Sequence, residues 1–303
     1  MSVGVAAAPA TPAIAWRDYI ALTKPRVMSL LLLTAVCGMI AGAHGLPALG
    51  TTAGLLIGGA LASGGASALN HVLDRDIDRL MGERTANRPV ASGRLSPRRA
   101  LMFGLTLSAL AFALLAATTN LLAATLSLAG GAFYVLVYTR WLKRSTPQNI
   151  VIGGAAGALP PVVGYAAATG KVTLQALVLF TIVFVWTPSH FWALALLIKP
   201  GYEAAGVPML PVVRGERETS RQILLYSAML VVVTIVPVAW GGFGLPYLVA
   251  AVPLGAVYLE LARRLSAETS GRAASQLFHY SLLYLALLFA AIAVDAALLP
   301  HHV

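Results

Sequence analysis

Apolar residues run along this chain in nine long blocks separated by short polar segments. The blocks fall near 27–44, 49–69, 101–118, 121–139, 149–168, 173–198, 222–240, 246–261 and 277–298. Apolar stretches of about 18 residues or more are long enough to cross a bilayer as helices. The pattern therefore predicts an all-α integral membrane protein with about nine transmembrane helices. Many blocks are rich in glycine and alanine, as in "GLLIGGALASGGASAL", and small residues let helices approach closely inside a membrane. Pro160, Pro161 and Pro188 fall within or near the ends of blocks and predict kinks or local unwinding around an internal cavity. Residues 1–15, rich in Ala and Pro, read as a disordered cytoplasmic tail. Residues 16–26 read as an interfacial lead-in, with Trp16 and Tyr19 at headgroup level and Lys24 and Arg26 as anchors. Residues 16–300 then make a single transmembrane domain.

Composition agrees with that pattern. The chain is 58% hydrophobic and 11% charged, whereas a soluble domain is roughly 25% charged. The net charge of +10 does not indicate nucleic acid, because a nucleic-acid binder gathers its basic residues on a soluble face. Here they sit in short loops between apolar blocks. Of the 21 Lys and Arg residues, all but Lys171 fall on one side of the predicted membrane. That asymmetry predicts an N-terminus in the cytoplasm and a C-terminus outside; the expected location is a bacterial-type inner membrane. The single cysteine, Cys37, excludes an intramolecular disulfide and a cysteine-based metal centre.

Nearly all the carboxylates lie on the basic side, although acids contribute little to orientation, so their placement needs another explanation. The loop after the second block begins "NHVLDRDIDRLMGERTANRPVASGRLSP". If the helix continues into it, Asn70, Asp74 and Asp78 are spaced i, i+4, i+8 and project from one face in a row, with Asp76 pointing elsewhere. Two carboxylates and an amide oxygen suit Mg²⁺, which is commonly held by one or two carboxylates together with substrate phosphates and water. Arg84 and Arg88 follow at once, and arginine pairs with phosphate through a bidentate fork. The row lies where the helix leaves the hydrocarbon, so its carboxylates are expected to remain ionised without full burial. The bland alternative is a charged juxtamembrane helix, with Asp74 and Asp78 paired to Arg75 and Arg79.

This segment resembles the first aspartate-rich motif of the UbiA superfamily of intramembrane prenyltransferases. The segments "VYTRWLKRSTPQNIVIGGAAGALPPVVGYAAATG" at 137–170 and "WTPSHFWALALLIKPGYEAAGVPMLPVVRGERET" at 186–219 resemble its protoheme IX farnesyltransferase branch. The resemblance covers nearly the whole chain. It implies nine helices around a central cavity and a Mg²⁺-dependent transfer of the farnesyl group of farnesyl diphosphate to a vinyl group of haem b, giving haem O. It also implies a downstream haem A synthase or terminal oxidase assembly, with membrane lipid as surroundings.

By that resemblance, Asn70, Asp74 and Asp78 are the catalytic and metal-binding row. Arg84, Arg88, Lys143, Lys199, Tyr202 and Glu203 are candidates for the diphosphate. Tyr138 and Arg144 lie in the matching segment after the fourth block. The second acidic motif departs from the family: its usual acidic positions are Pro200 and Gly201, and Glu203 is the nearest carboxylate. His190 matches a histidine of this branch and is the candidate haem contact. His71, beside Asn70, is a candidate to line the cavity mouth; His44, His279, His301 and His302 read as interfacial. Phe191, Trp192 and Tyr165 are candidates to shield an allylic cation. Rival readings are a related prenyltransferase with an aromatic quinone precursor or chlorophyllide as acceptor, a transporter, and a non-catalytic haem-handling protein.

Overall fold

A computed structural model describes residues 16–298, so the tail expected at 1–15, and His301 and His302, lie outside the described residues. The described chain is helical throughout. A short α1 (Trp16–Thr23) leads into α2 (Pro25–Ala43) and α3 (Leu49–Leu73). The short helices α4 (Arg75–Leu80) and α5 (Glu83–Ala86) follow, then α6 (Pro97–Thr118) and α7 (Leu121–Ala132). The last runs on through a π-helical stretch, Phe133–Leu142, into α8 (Lys143–Ser145). Then come α9 (Asn149–Thr169), α10 (Leu174–Leu197), the short α11 (Lys199–Ala204) and α12 (Leu210–Val213), and α13 (Gly215–Ile235), α14 (Leu245–Ala267) and α15 (Gly271–Leu298). Nine of the described helical segments are long and apolar enough to cross a membrane. They coincide with the nine apolar blocks.

The helices outrun the blocks at their polar ends. α13 starts at Gly215, α14 runs to Ala267 and α15 begins at Gly271. Side-chain pairs support the extensions of α14 and α13: Glu260 accepts from Arg263 and Arg264 at 2.7–2.9 Å, and Glu218 accepts from Gln222 at 2.8 Å. Pairs at i,i+3 and i,i+4 sustain a helix in water where hydropathy no longer signals it.

The expected unwinding at proline is not present. Pro160 and Pro161 lie inside α9, and Pro188 inside α10, without a break in either helix. Close packing of neighbouring helices accounts for this. α2 and α9 meet so tightly that a Cβ on Gly38 would overlap the Pro161 carbonyl, and one on Gly164 would overlap that of Ala35. Around this pair, α15 packs on α2, α10 on α9, and α13 and α15 on α10, while α3 packs on α6.

At the end remote from the basic loops, Gly244 offers α14 no capping side chain. Asp295 of α15, fully buried, accepts from the backbone N–H groups of Gly244 (2.8 Å) and Tyr247 (3.2 Å). A carboxylate there satisfies donors left over at a helix N-terminus and complements its dipole.

Candidate active site

The predicted row forms at the polar end of α3, although the helix is not continuous through it. α3 ends at Leu73, and Asp74 (φ −89°, ψ 4°) joins it to α4. The ladder nevertheless carries across: Asp74 N–H donates to Asn70 O, and Asp78 N–H to Asp74 O, each at 2.8 Å. The i, i+4, i+8 spacing is therefore kept, and Asn70 Nδ2 donates to Asp74 Oδ2 at 2.8 Å.

Burial is the first correction. Asp74 and Asp78 are each 1% exposed and Asn70 3%, so the row is enclosed instead of standing in interfacial water. Cations make this tolerable, since a buried charge must be paired and hydrogen-bonded. Lys143 Nζ lies 2.5 Å from Asp74 Oδ2, and Arg88 Nη1 lies 2.6 Å from Asp78 Oδ1. Arg144 grips Asp76 with two 2.7 Å hydrogen bonds and the Leu73 carbonyl with a third. Arg75 and Arg79 do not pair with the row; Arg79 Nε donates to Ala91 O at 2.8 Å. The bland pairing is thus not the one formed.

Burial pushes the Asp78 carboxyl above its ordinary range, against the opposing pull of Arg88. Arg144 holds Asp76 well below it. Tyr202 is 4% exposed; burial raises its hydroxyl, with Arg88 opposing and Asp74 adding to the effect.

The second correction is Lys24. It is not an interfacial anchor: its Nζ donates to Asn70 Oδ1 at 3.0 Å, beside Arg88 and Lys143, and burial chiefly pushes it down to about 7. Thr139 also joins the site, as the second acceptor for Asn70 Nδ2 at 3.1 Å. The π-helical stretch contributes this threonine, the stacked Tyr134 and Tyr138 (ring centroids 5.6 Å apart) and, at its end, Lys143. Of these, Tyr138 and Lys143 are signalled by the sequence resemblance, and Thr139 and Tyr134 are not. A π-stretch has no apolar periodicity of its own, and Lys24 reads as one more basic residue at a membrane edge.

The other candidates stand apart from the row. Arg84 is exposed. Lys199 pairs with Glu203 (3.5 Å) and Glu216 (3.0 Å), and these acids raise its ammonium above its ordinary value. α11 abuts the end of α4 through Gly201, where a Cβ would overlap the Met81 carbonyl. The altered second motif therefore has no room for a side chain at one of its usual acidic positions.

His190 is half-buried between Trp186 and Phe278, with ring centroids 4.2 and 5.0 Å away. Its Nδ1 lies 2.6 Å from Ser281 Oγ, which donates its own proton to Phe278 O at 2.6 Å. Ser281 must then accept from Nδ1–H, which leaves the lone pair on Nε2. Trp192 packs edge-on to Tyr226. Tyr165 accepts from Thr173 at the far end of α9, so the aromatic pair within electrostatic reach of the row is Tyr134 with Tyr138.

The donor set suits a hard cation. Asp74 Oδ1 and Asp78 Oδ2 are buried without a hydrogen-bond partner, although Arg144 Nη2 stands 4.0 Å from Asp74 Oδ1. Among the described residues no three His, Cys, Asp or Glu side chains converge on a metal position. An ion here would complete its shell with phosphate oxygens and water, as Mg²⁺ commonly does.

Apolar, membrane-length helices thus enclose a cation-rich carboxylate row, the arrangement of an intramembrane site suited to an anion. The chain belongs to the UbiA prenyltransferase family, whose sequence model matches residues 31–293. It is 54% identical over 282 residues to a protoheme IX farnesyltransferase of Thermus thermophilus, a match covering 93% of this chain and 46% of that protein. It is 51% identical over 281 residues to the protoheme IX farnesyltransferase of Symbiobacterium thermophilum, covering 92% and 94% respectively. The chain thus spans about half the length of the Thermus relative and nearly all of the Symbiobacterium one. Among solved structures, a digeranylgeranylglyceryl phosphate synthase superposes with a TM-score of 0.76 at 18% identity, over 93% of this chain and 99% of that one. A UbiA homologue from Archaeoglobus fulgidus bound to GPP and Mg²⁺ superposes with a TM-score of 0.61 at 19% identity, over 91% and 99%. The fold is that of UbiA-type prenyltransferases, and the chain is a multi-pass integral membrane protein.

Proposed function

We propose that this protein transfers the farnesyl group of farnesyl diphosphate to a vinyl group of haem b, forming haem O and diphosphate. The observation that carries the chemistry is the buried row in which each carboxylate is paired to a cation and keeps one oxygen that accepts no hydrogen bond. The choice of acceptor is supported by relatives of that name at about half identity.

Asp74 and Asp78 would hold Mg²⁺ through the oxygens that accept no hydrogen bond; Asn70 belongs to the same set, with its amide oxygen engaged by Lys24. The ion would supply charge neutralisation for the departing diphosphate, and the Archaeoglobus neighbour supports its identity. Lys143 and Arg88 then lie where the diphosphate oxygens gather charge, and preorganised cations of this kind lower the barrier to ionisation. Arg84, Lys199 and Glu203 form an outer set, with Arg84 and Glu203 exposed and Lys199 half-buried, and Tyr202 forms a buried wall. Tyr134 and Tyr138 keep water from the allylic carbon and offer ring faces to its positive charge. The vinyl carbon attacks that carbon as the C–O bond to diphosphate breaks, and water adds to the cation left on the haem side chain, giving up a proton to the departing diphosphate or to solvent. His190 serves as the haem contact: its Nε2 lone pair, fixed by the Ser281 hydrogen bond, is the form in which imidazole binds iron. It lies seven residues before the end of α10, about 10 Å below the mouth.

The basic side is cytoplasmic in this reading, in a bacterial-type inner membrane. A haem A synthase or terminal oxidase assembly is the expected recipient of the product. Product analysis with farnesyl diphosphate and an equimolar mixture of haem b and 4-hydroxybenzoate tests the acceptor. Farnesylated haem is expected; prenylated 4-hydroxybenzoate would assign the chain to the aromatic-acceptor branch.

A further inference from the structure

Away from the row, a groove of about 410 Å³ runs between α2, α3 and α6, with Thr23, Met28, Leu56, Ala60, Phe103 and Leu107 on its walls. Its lining is apolar apart from Thr23, whose hydroxyl donates to Ile20 O at 2.8 Å. Leu107 faces Gly64 across the α3–α6 contact. Phe103 lies one turn above Leu107, and Leu56 lies eight residues further down α3 from Gly64. The groove is therefore about 18 Å long, close to the hydrocarbon depth of one leaflet, half of roughly 30 Å. Leu56 is exposed on its wall and no member of the carboxylate row lines it, so it opens to the surrounding lipid.

The end of the groove nearest the basic loops is charged. On α6, Arg99, Phe103 and Leu107 are spaced i, i+4, i+8, so Arg99 continues the lining row about 6 Å above Phe103. Arg99 is exposed, and its guanidinium has no ion pair or side-chain hydrogen bond among the described residues. α6 contains no acid, and Asp18, the one acid of α1, is paired with Arg94 at 3.1 Å. Tyr19 packs edge-on to Phe103, with ring centroids 5.0 Å apart, and its hydroxyl has no hydrogen-bond partner among the described residues. Membrane orientation asks only for basic residues near the end of a span. It does not ask that one of them extend the row lining an apolar groove. An unpaired guanidinium, with its five donors, above a slot of leaflet depth matches a phosphate with a hydrocarbon chain beneath it.

We propose that this groove binds an anionic membrane phospholipid, with its phosphate on Arg99 and one acyl chain lying along Phe103, Leu107, Ala60 and Leu56. Thr23 lines the groove at the end of α1, where the chain turns into α2. A chain in the groove therefore braces the α1–α2 corner from the lipid side, and lipid bound to the folded protein stabilises it by mass action.

The test is to delipidate the full chain in detergent and titrate it with dioleoyl phosphatidylglycerol or dioleoyl phosphatidylcholine, reading bound lipid by native mass spectrometry and the thermal midpoint alongside. Wild type should bind phosphatidylglycerol about fivefold more tightly than phosphatidylcholine, with the larger rise in midpoint. Arg99→Gln should remove most of that preference and Arg99→Lys should keep part of it. Ala60→Trp, which fills the groove, should weaken the binding of both lipids. Equal affinity for the two lipids in wild type overturns the proposal, as does an unchanged preference in Arg99→Gln. Unchanged phosphatidylglycerol binding in a folded Ala60→Trp also overturns it, and a raised KM for farnesyl diphosphate in that variant would then give the groove to an isoprenyl chain.

Discussion

Asp74 is buried and paired with Lys143, and its part in stability can be separated by substitution from the part proposed for it in the chemistry. Asp74→Ala should abolish prenyl transfer while the protein still inserts and purifies; full activity would remove the row from the mechanism. Lys143→Met leaves Asp74 buried with its nearest cation gone. It should destabilise the solubilised protein by on the order of 3 kcal/mol, with most of that recovered in the Asp74→Asn, Lys143→Met double variant. Lys24 behaves differently because its ammonium is pushed down to about 7. A lysine depressed in the fold is a cost that is full below that pH and fades as the pH climbs towards its unfolded value near 10.4. The thermal midpoint of Lys24→Met relative to wild type should therefore be most favourable near about pH 6 and decline towards about pH 10. A flat difference would mean that Lys24 carries no such burial cost. Helical spacing alone made the row legible in the sequence. It could not show Lys24, because a basic residue before Pro25 at a membrane edge looks the same whether its side chain points to lipid headgroups or inward.

At the scale of elements, the α4–α11 contact decides what the altered second motif can do. Gly201 meets the Met81 carbonyl with no space for a side chain, so restoring an acid by Gly201→Asp should lower activity by forcing α11 off α4. A gain in activity would show that the motif lacks only a carboxylate. At the opposite membrane face, Asp295→Ala removes the acceptor for the Gly244 and Tyr247 amides. It should cost about 1–3 kcal/mol in thermal or denaturant unfolding. The sequence announced the membrane helices because each is a long apolar run. Their polar extensions, the π-helical turn that delivers Thr139 and Lys143, and the uninterrupted helices through Pro160, Pro161 and Pro188 depend on side-chain pairs and neighbouring helices. Hydropathy does not register these.

For the molecule as a whole, orientation follows from charge. Cysteine labelling from outside should reach a probe placed beside Lys171 and miss one placed beside Arg84, the reverse result inverting the topology. The fold sets a cation-lined carboxylate row at one end of a helical bundle, with His190, the proposed haem contact, roughly 10 Å deeper along α10. The most direct test of that arrangement is to incubate the purified protein with haem b, farnesyl diphosphate and Mg²⁺, with and without EDTA, and follow products by mass spectrometry. The account predicts a farnesylated, hydrated haem that disappears on chelation. Folded, haem-bound protein that forms no such product in the presence of Mg²⁺ would contradict it and leave a haem-handling role in its place.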